Sequence, residues 1–327
     1  MGSGGSCEYS REEYDSYALK LYEIASEDSS LLPDVGLDGS LLKYSGLKSN
    51  AELRSYSDGL VKQVPDLVKK LGSILGSYTG FTNAVGLGAL MIAMIIDIGM
   101  KNLSATSDGF LKAFGEEKAS GVRDTVSEYV KRHQMYLTDN RHLQGELERL
   151  ERQLSNHLTI LRNSLLLDGQ MRSRGLKIWV NGASFHVQML IHEARLNRKT
   201  GISSKDYVHV IQRALTTYLQ DLDQLLEKHR AQLVKNTYFY YCPKCCGTAC
   251  CGQWLPCITR VMSYRKDPCA YGRKLYVSDR PGLLDSYMNQ VFSKFKPLSG
   301  LKSHFSDIKT NLKHHIDQHE SFTLPSA

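Results

Sequence analysis

Between Asp66 and Cys242 the chain holds no proline, and apolar residues recur there at helical spacing. The strongest run is Leu143, Leu147, Leu150 and Leu154, a 4-3-4 spacing that resumes after one extra step as Leu158, Leu161 and Leu165. Glu146, Glu148, Arg149, Glu151 and Arg152 flank the stripe. The pattern predicts a long helix, starting near Val122, that packs against an antiparallel neighbour in the same chain. A second stripe, Leu176, Trp179, Val180, Ala183, Val187, Leu190, Ile191 and Ala194, predicts a helix over 175–198. Gly201 ends it and Asp206 can cap the next, whose period runs through Val210, Ala214, Leu215, Leu219, Leu222, Leu225 and Leu226. Near the N-terminus, Ser10 and Glu13 form a capping box ahead of Tyr14, Tyr17, Leu21 and Ile24. Pro33, Gly36 and Gly39 break that helix before a new pattern starts at Ser49 or Asn50.

These patterns exclude an all-β or doubly wound fold. The expected architecture is all-α: an elongated helical bundle with long amphipathic, coiled-coil-like helices and a small cysteine-rich module. Four regions are expected. Residues 1–60 form an acidic cap, and residues 61–236 the bundle with a Gly-rich apolar segment at 71–96. Residues 237–282 form the cysteine-rich module, and residues 283–327 a basic amphipathic tail.

The segment from Leu71 to Ile96 holds 26 residues without a charge, between Lys70 and Asp97. As one helix it would extend about 39 Å, against roughly 30 Å for a bilayer's hydrocarbon core. Gly72, Gly76, Gly80, Ala84 and Gly88 recur every fourth residue, a small-residue face that lets two helices approach closely. Leu90, Ile92 and Ile95 then supply bulky apolar surface. Three readings stand open: a buried hairpin in the bundle, a segment sheltered in solution that inserts into a bilayer, and a constitutive span. Two short halves meeting near Gly80–Asn83 allow a helical hairpin whether the segment is buried or inserted.

Charge changes the picture along the chain. Residues 1–60 carry 5 Lys/Arg against 11 Asp/Glu, whereas residues 228–327 carry 15 against 6. A basic C-terminal third suits an anionic lipid surface or an acidic protein partner. Nucleic acid is disfavoured, because no binding motif accompanies the charge. The tail adds Tyr287, Val291, Phe292 and Phe295, then Leu301, Phe305, Ile308 and Leu312, in the manner of a membrane-surface helix. His314, His315 and His319 cluster there, as solvated side chains, a zinc site or an acid sensor.

Met1-Gly-Ser-Gly-Gly-Ser6 lacks the apolar core of a secretory signal, so a cytoplasmic start is expected. The same residues match the N-myristoylation pattern at Gly2, and Cys7 is placed for palmitoylation; an inert linker reads alike. Two acyl chains would hold the chain on a membrane where one is marginal. Seven of the eight cysteines fall between residues 242 and 269. Cys242-Pro-Lys-Cys245 is half of a zinc knuckle, and Cys257 with Cys269 are the candidates to complete it. Palmitoylation, disulfides and free thiols stand beside zinc. His192-Glu193-Ala194-Arg195-Leu196 begins like a zinc-protease helix but carries leucine where the second ligand belongs. With no nucleophile–base or carboxylate constellation elsewhere, no enzyme is expected.

An acidic cap, the Gly-rich apolar segment from Gly72 to Ile96 and the long amphipathic helices from Val122 to Lys235 resemble helical pore-forming toxins with a sequestered hydrophobic head. The resemblance lies in architecture and covers roughly residues 60–235. It implies a membrane-associating protein that perforates a bilayer through residues 71–96, acting as a homo-oligomer. The alternative is a cytosolic helical adaptor, stabilised by zinc, that binds a protein partner.

Overall fold

The structure is a computed structural model. It describes residues 10–27, 31–39, 41–42, 80–81, 120–136, 140–198, 204–241, 249–250, 253–254, 258–263, 273–275, 281–317 and 322–323. Among them are eight helices: α1 (Arg11–Glu27), α2 (Ser120–Met135), α3 (Asn140–Leu166), α4 (Ser173–Arg198), α5 (Ser204–Asn236), α6 (Pro281–Lys294), α7 (Lys296–Thr310) and α8 (Leu312–Asp317). Helix is therefore the dominant state, as the periodicity predicts. The chain divides into two compact units: Met1–Val35 with Met171–Ser173 and Leu226–Gly300, and Gly36–Gln170 with Arg174–Leu225 and Leu301–Ala327.

In the first unit α1 packs on α6. The seam of α1 is Ala18, Leu21 and Ala25, one turn apart, and α6 answers with Leu284, Tyr287, Met288 and Val291. Gly282 opens α6 beside the Tyr14 ring, 3.0 Å from where a Cβ would stand, so a larger residue there would push the ring by a few tenths of an ångström. The unit also holds short strands that helical periodicity does not predict: β2 (Thr237–Tyr241), β3 (Ala249–Cys250), β4 (Gln253–Trp254), β5 (Ile258–Ser263) and β6 (Arg273–Leu275). β2 lies between β5 and β6, antiparallel to both, and β3 pairs with β4. The Tyr-Phe-Tyr-Tyr run after Thr237 explains the change of state, since aromatic residues favour strands.

In the second unit the leucine stripe of α3 is the main seam. Leu143, Leu147, Leu150, Leu154, Leu158, Leu161 and Leu165 are all buried. The one long helix expected from Val122 is instead two. α2 ends at Met135, α3 starts at Asn140, and the two run antiparallel, with Gly121 against His157 and Arg132 beside Glu146. Contacts from α2, α3, α5 and α7 then converge on α4, of which every residue from Ile178 to His192 is buried. An expected one-sided stripe thus becomes an all-round core helix. Where α4 crosses its neighbours, a Cβ on Gly182 would stand 2.7 Å from Leu158 and 2.9 Å from Val122. The stripe of α5 is turned from the expected one: Ile211, Leu215, Tyr218, Leu222 and Leu225 are buried, and Val210 is 56% exposed. A short pairing of β1 (Gly80–Phe81) with β7 (Phe322–Thr323) completes the description.

Candidate functional site

A helix buried on every side must satisfy each polar side chain it carries, because an unpartnered buried group costs about 1–3 kcal/mol. α4 carries several: Asn181, Ser184, His186, His192 and Asn197 are each hydrogen-bonded to a neighbouring segment, whereas Gln188 Nε2 is buried without a hydrogen-bond partner among the described residues. Asn181 donates from Nδ2 to the carbonyls of Gly36 (2.9 Å) and Lys177 (2.7 Å), and its Oδ1 accepts the Asp38 backbone N–H at 2.7 Å. Ser184 Oγ lies 2.9 Å from His304 Nε2 on α7. His192 Nδ1 lies 2.9 Å from the Tyr129 hydroxyl on α2, and Asn197 is hydrogen-bonded to Gln144 on α3.

His186 is the centre of the arrangement. Its Nε2 lies 2.7 Å from Glu151 Oε1 on α3, and its Nδ1 2.9 Å from the Tyr218 hydroxyl on α5. An ionised carboxylate only accepts, so Nε2 bears a proton, and in the neutral ring Nδ1 accepts from Tyr218. Burial pushes the Tyr218 phenol far above its usual range, helped by the Glu151 and Asp221 charges. Tyr218 therefore stays a donor. Its ring meets Trp179 edge-on at 5.7 Å and His186 at 5.8 Å.

The hydroxyl–imidazole–carboxylate order is that of a nucleophilic triad, here with a phenol that is 9% exposed. The relay links α3, α4 and α5 at one level.

About two turns along from His186, Glu193 lies among carboxylates. Burial raises its pKa to about 7, and the charges of Glu151 and Glu148 add to the shift while Arg152 opposes it. Tyr207 is raised as well, by burial and then by Glu193 and Glu148. His192 and Glu193, adjacent in the protease-like pentapeptide, are thus directed to different helices. No group of three or more His, Cys, Asp or Glu side chains fit to hold a metal occurs among the described residues.

Outer polar pairs tie the same helices. Arg162 Nε donates to Asp221 at 2.6 Å and its Nη2 to Gln224 at 2.9 Å, joining α3 to α5. Lys302 pairs with Asp223, and Lys309 donates to Thr216 at 2.8 Å, joining α7 to α5. His315, expected in solvent as part of a histidine cluster, is buried on α8, while His314 beside it is exposed and His319 lies outside the described residues.

Most of the side chains singled out from sequence also lie outside the described residues: Gly2, Cys7, Gly72, Gly76, Ala84, Gly88, Leu90, Ile92, Ile95, Cys242, Cys245, Cys257 and Cys269. Gly80 alone has a described backbone, extended and paired with Thr323, at the place where two helical halves were expected to meet. Sequence reading missed the Glu151–His186–Tyr218 relay. The available signal was five polar residues (Asn181, Ser184, His186, Gln188 and His192) spread around an otherwise apolar helix.

No protein-family model, curated protein or solved structure matches the chain.

Proposed function

We propose that this chain is a membrane-associating helical bundle protein, peripheral on the cytoplasmic face and conditionally inserted through residues 71–96. What supports the reading is the 26-residue run without a charge and the small residues that recur along it every fourth position. Among the described residues no helix is long and apolar enough to cross a membrane, so insertion falls to that run. Acylation at Gly2 and Cys7 would hold the chain at the surface beforehand. In the stronger form, inserted copies pair through the small-residue face and perforate the bilayer.

The test is flotation of the purified, acylated protein with dye-loaded vesicles containing phosphatidylserine. Binding with dye release is expected from the native sequence. Gly76→Leu, folded by circular dichroism, should still float and lose most of its release, because the enlarged residue blocks helix pairing. Absence of flotation at every protein concentration would overturn the membrane reading.

A second reading is favoured by strand register. Tyr241 pairs with both Ile258 and Arg273. On the chain, Cys242 follows Tyr241, Cys257 precedes Ile258 and Cys269 stands four residues before Arg273. That order supports one zinc ion shared by Cys242, Cys245, Cys257 and Cys269, in a module through which a cytosolic adaptor binds a protein partner. Metal analysis separates the two: one zinc per chain that Cys242→Ser removes, with no flotation, is the adaptor's result.

A further inference from the structure

Residues 301–317 carry their apolar side chains inward: Leu301, Phe305, Ile308, Leu312 and Ile316 are buried. Two histidines share that inner face, His304 at 8% and His315 at 5% exposure. His304 Nε2 meets the Ser184 hydroxyl of α4 at 2.9 Å, and its ring stands edge-on to Phe305, which lies 6.4 Å from Tyr218 on α5. The segment carries three lysines, two aspartates and three histidines, so its net charge is +1 with neutral histidines and +4 with all three protonated.

We infer that residues 301–317 form an acid-released latch: held on α4 and α5 when His304 is neutral, and freed by its protonation to lay an apolar face with basic flanks on an anionic lipid surface. The choice of lipid rests on the membrane reading above; the release does not.

The surroundings oppose a charge on His304. α4 offers it a hydroxyl, and the turn at 36–38 places Asp38 against Asn181, one turn away along α4. α5 brings Thr216, the Tyr218 phenol, Asp221 held by Arg162, and Asp223 held by Lys302. From the segment itself come Lys302, Asp307, Lys309, Lys313, His314, His315 and Asp317. The nearest titratable influence is another histidine: burial first, and then His315, lower the His304 pKa to about 4. Against the free value of 6.5, His304 alone favours the released form about 30-fold more at pH 5 than at neutral pH. Release would also open the Lys302–Asp223 pair, an exposed contact of little strength.

Hydrogen exchange of the full-length chain tests the latch without lipid. Between pH 7.5 and pH 5, after correction for intrinsic rates, amides of 301–317 should lose about 30-fold in protection relative to 140–166. His304→Gln, neutral at both pH values, should keep most of that protection at pH 5. If that variant does not fold, His304→Asn, also neutral at both pH values, serves instead with the same expectation. Equal protection at both pH values in the native sequence, or equal loss in His304→Gln, overturns the latch. Repeating the exchange with phosphatidylserine vesicles at the same pH values tests the destination. Renewed protection of 301–317 at pH 5 that His304→Gln abolishes supports it, whereas flotation at both pH values with 301–317 released and unprotected removes the lipid surface for this segment and leaves the membrane reading standing.

Discussion

At the scale of single residues, the polar atoms of α4 decide what its core tolerates. Tyr218→Phe removes the donor to His186 Nδ1 and leaves that nitrogen buried without a partner. A loss of about 1–3 kcal/mol is expected, read as a lower urea midpoint at unchanged slope. Glu151→Gln should cost less, because a side-chain amide oxygen can still accept from Nε2–H. Glu193 makes the opposite kind of statement. Its folded pKa of about 7 lies above the 4.5 of a free carboxyl, so the folded state holds the proton more tightly. The stability it lends is complete below pH 4.5 and is lost as pH rises through 7. Glu193→Gln should therefore gain most over the native sequence at pH 8 and least at pH 5, in paired denaturation curves. Little of this was legible beforehand. Periodicity assigns Leu190 and Ala194 to a core face, but whether His186 and Glu193 share that face depends on what α3 and α5 bring to it.

At the scale of elements, the crossing of α4 with α2 and α3 rests on Gly182. A methyl there meets Leu158 and Val122 inside normal contact distance, and both belong to the buried seam. Overpacking of this kind costs about 1–3 kcal/mol, more than the roughly 1 kcal/mol that alanine gains over glycine in a helix. Gly145 on α3 is the contrasting case, exposed with nothing within 4 Å of a new Cβ. Gly145→Ala should raise the urea midpoint by an amount equivalent to about 0.5–1 kcal/mol, and Gly182→Ala should lower it. Sequence places both glycines inside helices and cannot rank them. It does read the Leu143–Leu165 seam correctly, because seven leucines in one phase leave a single face to bury. The start of α3 escaped notice although Thr138-Asp139-Asn140 is a helix-start composition, since the apolar period on either side suggested continuity. Strand β2 was missed although a change of region was expected at residue 237, because it follows α5 without an intervening proline or glycine.

At the scale of the whole molecule, each unit holds a buried histidine whose pKa burial lowers. His304 lies in one; His229 lies in the other, with Nε2 2.9 Å from Ser173 Oγ and its pKa lowered to about 4 by burial. Both values stand below the 6.5 of a free imidazole, so the unfolded chain binds protons that the folded units refuse. Stability conferred by the neutral rings is complete above pH 6.5 and falls away as pH drops towards 4. Glu193 acts in the other direction across an overlapping range, but its side chain is partly exposed and its contribution is reduced by solvent screening. The two histidines should prevail, each destabilising its unit by about 2 kcal/mol between pH 7.5 and pH 5. Calorimetry of the full chain across that range should show melting temperature falling with pH. His229→Gln should flatten the transition of its own unit and leave the acid response of residues 301–317 in place. A native chain whose melting is the same at pH 7.5 and pH 5 would mean that both imidazoles accept protons where they are buried, and the acid response of either unit would have to come from its carboxylates.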